Sequence, residues 1–180
     1  MLRFVVLLTC LIALPAFAQE KVRKTETLST PSKLILAQIN STEIKGTAVF
    51  TLAAANYDYT LTGNLVYALP DAERQKLAQA LNKPLTEIPT NLTANNLVAR
   101  FDKNTHCPDI RLDLDALDLE LSGTKLHLNR FVLSLPETPQ KLSRALCIWT
   151  DRTNKGVTNK GIVQFINLLL KGEEDEEQAK

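Results

Sequence analysis

Residues 110–135 read IRLDLDALDLELSGTKLHLNRFVLSL, and this stretch predicts the fold class of the chain. On the first arm leucine or isoleucine occupies every second position, with a change of phase at Ala116-Leu117, as in Ile110, Leu112, Leu114, Leu117, Leu119 and Leu121. A period of two predicts a strand with one apolar face, and the change of phase predicts a bulge that does not end the strand. The turn Ser122-Gly123-Thr124-Lys125 then leads to a partner strand, so the sequence predicts a long antiparallel hairpin.

Strand patterns also precede this hairpin. Residues 43–53 and 56–69 alternate in the same way, with Tyr57 and Tyr59 on the apolar face of the second segment and residues 53–56 as the connection. Residues 33–40 fit a strand or a short helix. Residues 83–96 contain two prolines and several asparagines and read as a loop, after which residues 97–101 form a further strand.

Helical patterns occur once between the strands and twice near the end of the chain. Asp71 is the predicted cap of a helix over residues 72–81. Thr138 and Pro139 begin a second helix with an apolar stripe that includes Leu146 and Trp149, and a third helix ends at Gly172. The sequence therefore predicts an α+β fold, in which an antiparallel β-sheet of about five to six strands packs against two to three helices.

The first eighteen residues have the features of a cleaved signal peptide. Arg3 supplies the positive charge, an apolar run ends at Pro15, and Ala16-Phe17-Ala18 fits the cleavage site. The run is shorter than the roughly 20 residues that a membrane-spanning helix needs. The predicted organisation is a signal peptide over residues 1–18, a flexible leader over 19–32, a single domain over 33–172 and an acidic disordered tail over 173–180. We expect a periplasmic or secreted protein, with a signal of bacterial type.

Signal cleavage removes Cys10 and leaves Cys107 and Cys147. An even number of cysteines in an oxidising compartment predicts a disulfide. The two cysteines lack the Cys-x-x-Cys spacing of redox-active pairs, so the predicted role is structural.

The overall charge of the 180-residue chain is nearly balanced, with 21 basic and 20 acidic residues and a net charge of +1. This composition excludes a disordered chain and a strongly basic nucleic-acid-binding protein. Five acidic residues stand together at positions 173–177, which predicts a solvated tail.

Four carboxylates, here called the acidic row, lie along the predicted hairpin: Asp113, Asp115, Asp118 and Glu120. Calcium binding requires several carboxylate oxygens that converge, whereas alternate residues of a strand are roughly 6–7 Å apart. The acidic row is therefore a weak candidate for a metal site, and its alternatives are a solvated sheet face or a surface for a basic partner.

A short tandem repeat, TNKGV-TNKGI at residues 153–162, is a weak candidate for anion binding through Lys155, Gly156, Lys160 and Gly161. The Lys and Ser or Thr that complete a phosphate-binding loop are missing, and a simple turn is the alternative. Neither His106 nor His127 has a second histidine or cysteine at ligand spacing, and no hydrolase motif is present.

The sequence thus predicts an exported, non-catalytic binding or assembly protein of the cell envelope or the exterior, with no cofactor and no nucleic-acid partner. Its partner would be a protein or an apolar ligand such as a lipid, held in a slot between sheet and helices. The alternative for that slot is an ordinary closed core. The alternative function is a periplasmic hydrolase that uses carboxylates of the acidic row.

Overall fold

The computed structural model describes residues 26–136, 141–154 and 160–172. Three predicted features lie outside these residues: the signal peptide, the start of the second helix at Thr138 and Pro139, and the acidic tail. The described residues form eight strands, three α-helices and one short 3-10 helix at Leu85–Glu87. In chain order they are β1 (Lys33–Ile39), β2 (Thr42–Ala55), β3 (Thr60–Ala68), α1 (Asp71–Leu81), β4 (Asn91–Phe101), β5 (Arg111–Leu114), β6 (Leu117–Leu121), β7 (Thr124–Leu128), β8 (Phe131–Ser134), α2 (Lys141–Asn154) and α3 (Lys160–Lys171).

All eight strands belong to one antiparallel sheet in the order β6-β7-β1-β2-β3-β4-β5-β8, and the sheet curls into a half-barrel. The α+β class is confirmed, whereas the predicted number of five to six strands is too low. Strands β1 to β4 pair with their neighbours in sequence, and the segment of undecided type at residues 33–40 is strand β1.

The long hairpin is present, but a break replaces the predicted bulge. Leu114 pairs with Phe131 and Leu117 pairs with Leu128, so two residues on each arm lie between the paired segments. The inner half, β5 with β8, adds to β4, while the outer half, β6 with β7, adds to β1. One hairpin thus joins both edges of the four-stranded meander. At this junction the Lys33 side chain of β1 donates a hydrogen bond to the Val132 carbonyl of β8 (2.6 Å).

Two strand boundaries differ from the predicted ones, at the beginning of β3 and at the beginning of β4. Tyr57 is exposed and Tyr59 has a positive φ, so both lie in the turn between β2 and β3 and not on a strand face. Asp58 and Asn56 stabilise that turn through the Thr60 hydroxyl (2.7 and 2.9 Å). Conversely, the predicted loop over residues 83–96 contains the first part of β4, whose asparagines face solvent while Leu92 faces the core.

The described part of the predicted flexible leader is packed into the domain. Leu28 and Thr30 are buried, and backbone hydrogen bonds join Leu28 to Leu52 and Thr30 to Phe50 of β2 (both 2.9 Å). Residues 28–30 therefore continue the ladder that β1 makes with β2, on the other side of Pro31-Ser32.

Helices contact opposite ends of the half-barrel. The Glu73 carboxylate of α1 accepts a hydrogen bond from the Lys45 N–H (2.9 Å). Ten residues further along β2, roughly 33 Å away for an extended strand, the Asn167 amide of α3 bonds to both backbone groups of Ala55 (2.8 and 2.9 Å). The cap of α1 differs from the predicted one. Asp71 is the first residue of α1 and pairs with Arg74, while Pro70 holds the cap position predicted for Asp71.

The core fills the inner side of the curled sheet. Phe50, Leu65 and Tyr67 are fully buried, and the Tyr67 hydroxyl donates a hydrogen bond to the Ile35 carbonyl (2.9 Å). Burial raises the pKa of Tyr67 to about 12. Trp149 of α2 completes the core at the end of the half-barrel that α2 and α3 cover. The inward-facing leucines pack against one another and against these rings. This packing resembles the ordinary closed core, which is the alternative to a ligand slot between sheet and helices.

Candidate functional site

The hairpin break divides the acidic row. Asp113 lies on β5, Asp115 lies in the break, and Asp118 and Glu120 lie on β6, at the other edge of the sheet order. Their carboxylates therefore do not converge. In the part of the chain that the structure describes, no three His, Cys, Asp or Glu side chains are grouped so that they could hold a metal ion.

Basic side chains lie beside the exposed aspartates of the acidic row. Asp115 pairs with Arg100 of β4 at 2.6 Å, and both side chains are more than half exposed. Asp118 accepts a hydrogen bond from the Nδ1 atom of His127 (2.8 Å) and lies 3.8 Å from the Lys125 ammonium. Glu120 is the ladder neighbour of Lys125 on the β6–β7 pair. These pairs resemble the cross-strand charge pairs of an exposed sheet face.

Asp113 differs from the other three carboxylates because its side chain is only 11% exposed. Both of its oxygens accept hydrogen bonds from Arg130, one of them from Nε at 2.8 Å, so the guanidinium covers the carboxylate in bidentate fashion. These hydrogen bonds lower the pKa of Asp113. Arg130 lies in the second arm of the hairpin break, so this ion pair joins the two arms there.

The pKa shifts in the acidic row are the opposite of those needed for acid catalysis. A glycoside hydrolase needs one carboxyl group with a raised pKa, so that it carries a proton to donate. Hydrogen bonds from Arg130 and from His127 instead lower the pKa values of Asp113 and Asp118, respectively. The ionised form of each carboxylate is thereby favoured.

The tandem repeat is only partly described. Lys160 and Gly161 form the first turn of α3, and both are exposed. Lys155 and Gly156, the other two candidate anion ligands, lie outside the described residues. The predicted anion site therefore stays a prediction.

Cys107 and Cys147 form the predicted disulfide, with their Cα atoms 5.5 Å apart. The bond links the loop before β5 to the middle of α2. Two residues further along α2, Trp149 packs edge-to-face on Phe101 of β4 (5.2 Å) and stacks near Tyr59 (6.3 Å). The disulfide and the aromatic cluster together hold α2 on the sheet.

Helices α2 and α3 run antiparallel, and Glu26 connects them. The Glu26 N–H donates to the Leu169 carbonyl near the end of α3 (3.2 Å). Its carboxylate accepts a hydrogen bond from the Leu142 N–H at the beginning of α2 (2.8 Å). A carboxylate in this position compensates the positive end of the α2 dipole, and it places the start of one helix beside the end of the other.

A groove of about 270 Å³ lies between α2 and α3. Four apolar and two basic residues line it: Ala145, Ile148, Ile162, Phe165, Lys141 and Arg144. Ile148 is 43% exposed and Phe165 is 41% exposed, although both are large apolar side chains. The groove therefore presents apolar surface to solvent beside a cationic rim.

The two basic residues lie together at one end of the groove. Lys141 and Arg144 are three residues apart on α2, which places them on one side of the helix. Within the described part of the chain, Arg144 has no ion-pair partner. Asp151 lies on the same helix beyond Ile148, away from this cationic end.

Sequence patterns did not identify this groove. The apolar stripe predicted for α2 passes through Leu146 and Trp149, and Ile148 lies off that stripe. Ile148 itself was the sequence signal for the groove, because it is an apolar residue outside the stripe. On α3 the helical spacing of apolar residues groups Phe165 with Ile166 and Leu169, whereas the buried residues are Val163, Ile166 and Leu169.

None of the described helices has the length and apolar character needed to cross a bilayer. Comparison of the chain with models of protein families, with curated proteins and with solved structures finds no match.

Proposed function

We propose that this protein is an exported, non-catalytic binding protein that holds an apolar ligand in the groove between α2 and α3. The observation that carries the proposal is the exposure of Ile148 and Phe165 on the walls of one groove. Exposed apolar side chains in a concave surface are typical of binding sites. Other exposed apolar residues, such as Leu34 and Leu36, lie on β1 and do not line the groove.

Export to the periplasm or the exterior is part of this proposal. It is supported by the signal-like residues 1–18 and by the disulfide, because disulfides persist in oxidising compartments. Mass spectrometry of the exported protein tests it, with Gln19 as the expected first residue. An intact Met1 or a cytoplasmic location would contradict export.

The alternative function, a hydrolase that uses the acidic row, has less support. The carboxylates of the row are divided among β5, the hairpin break and β6, and the three aspartates each pair with a basic side chain. Hydrolysis depends on two carboxyl groups that flank one bond, one of them protonated.

Binding of a neutral apolar dye, N-phenyl-1-naphthylamine, tests the proposed groove. The dye gains fluorescence in apolar surroundings, and we expect saturable binding to the purified protein. Replacing Ile148 and Phe165 by serine should weaken binding about tenfold, since it removes the two largest exposed apolar contacts.

The matched control is a double variant with Leu34→Ser and Leu36→Ser, which removes exposed apolar surface outside the groove. We expect it to bind the dye like the unaltered protein. No saturable binding, or equal weakening in both double variants, would overturn the proposal.

A further inference from the structure

The groove has different chemistry at its two ends. Lys141 and Arg144 form the cationic end, whereas Ile148, Ile162 and Phe165 supply apolar walls further along. Seven residues separate Lys141 from Ile148, or about 10 Å along the helix axis at 1.5 Å per residue. A ligand that matches both ends needs a negative charge at one end and an apolar chain of about this length.

From this match we infer that the groove binds a single-chain amphiphile with a carboxylate head group, such as a free fatty acid of medium length. The inference rests on the proposed binding function and adds the class of ligand. The Arg144 guanidinium holds the carboxylate, and Ile148, Ile162 and Phe165 contact the chain.

Arg144 is the main determinant of the head group. A guanidinium presents a planar set of donors that matches the two oxygens of a carboxylate. The Glu26 carboxylate lies by the first turn of α2, where it accepts a hydrogen bond from the Leu142 N–H (2.8 Å). Asp151 lies on α2 beyond Ile148, so both cations that line the groove are at the Arg144 end.

The shape of the groove favours one chain. Its apolar walls come from one side of α2, with Ala145 and Ile148, and one side of α3, with Ile162 and Phe165, so they form a single track between two helices. One acyl chain fits such a track. We therefore assign the ligand to the free carboxylic acids, and a comparison with lipid vesicles distinguishes these from a bilayer surface.

The experiment compares three ligands that share a ten-carbon chain: decanoate, 1-decanol and decyltrimethylammonium. Each is used below its micelle-forming concentration, and binding is followed by displacement of N-phenyl-1-naphthylamine at neutral pH and low salt. We expect decanoate to bind about tenfold more tightly than decanol. The trimethylammonium ligand should bind more weakly than decanol, because like charges repel.

Arg144→Gln is the diagnostic variant, since it keeps a polar, unbranched side chain and removes the charge. It should abolish the preference for decanoate and leave the affinity for decanol unchanged. Arg152→Gln is the matched control, because Arg152 is an exposed cation of α2 that does not line the groove. It should keep the preference for decanoate.

The outcomes separate this inference from the proposed function. Equal binding of decanoate and decanol by the unaltered protein would overturn the carboxylate assignment and leave the apolar groove standing. Absence of binding by all three ligands and by the dye would overturn both. Tight association with phosphatidylglycerol vesicles without affinity for decanoate would also overturn the assignment, in favour of a membrane surface.

Discussion

Asp113 shows how burial gives one carboxylate of the acidic row a different role from its neighbours. Asp115 and Arg100 pair in solvent, where such a pair contributes little to stability. Asp113 is covered by the Arg130 guanidinium beside the hairpin break, so loss of Arg130 would remove two charge-assisted hydrogen bonds from this carboxylate. Asp113 and Asp115 look alike in the sequence, and only their surroundings in the folded chain distinguish them.

Replacement of Arg130 by alanine should lower the midpoint of thermal unfolding by several degrees at neutral pH. The native pKa of Asp113 is lowered, mainly by the hydrogen bonds from Arg130. Its contribution to stability is therefore complete above the ordinary carboxyl pKa of about 4 and is lost as the pH falls through the native pKa. The difference between the variant and the unaltered protein should accordingly shrink in acid.

Arg100→Ala provides the comparison, because it removes a cation from an exposed pair. We expect a smaller effect on the unfolding midpoint than for Arg130→Ala. Equal effects of the two variants, or a difference that grows as the pH falls, would show that Asp113 does not depend on Arg130 in this way.

In the long hairpin, the change of apolar phase marks a break and not the predicted bulge. The apolar phase changes between Leu114 and Leu117 on the first arm and between Leu128 and Phe131 on the second. A bulge adds a residue to one strand only, so matching changes on both arms indicate a break in the whole hairpin. That evidence was in the sequence. The destinations of the two halves, β4 and β1, were not.

The attachment of α3 to β2 depends on one side chain. Asn167 satisfies both the N–H and the C=O of Ala55, a buried residue at the end of β2. Asn167→Ala should lower the free energy of unfolding by about 1–3 kcal/mol, because it leaves these backbone groups without partners. Urea denaturation measures this loss.

Gln164→Ala is the control on the same helix, since Gln164 is exposed. Its effect should stay within about 0.5 kcal/mol. If both variants unfold at the same urea concentration, Asn167 does not anchor the helix.

For the whole molecule, the disulfide matters because it connects parts that are distant in sequence. Cys107 and Cys147 are 40 residues apart, and the segment between them contains the entire hairpin that joins the two edges of the meander. Closing a loop of this length restricts the unfolded chain. The bond also holds α2, one wall of the groove, against the sheet.

Replacing Cys107 and Cys147 by serine should lower the free energy of unfolding by about 4 kcal/mol, as the chain-entropy relation gives for a loop of this length. Urea denaturation can be followed by the fluorescence of Trp149, the single tryptophan of the chain, which is fully buried. A reducing agent should destabilise the oxidised protein to a similar extent and leave the double variant unchanged. Unaltered stability after reduction would contradict a stabilising bond.

Local periodicity predicted the α+β class, the apolar faces of the strands and the hairpin, and the cysteine count predicted the pairing of Cys107 with Cys147. Long-range packing established which strands the two halves of the hairpin join, which carboxylate is buried, and that Ile148 and Phe165 line a groove with Arg144. Those outcomes depend on contacts between residues far apart in the chain, and periodicity within one segment carries no information about which distant segment it will meet.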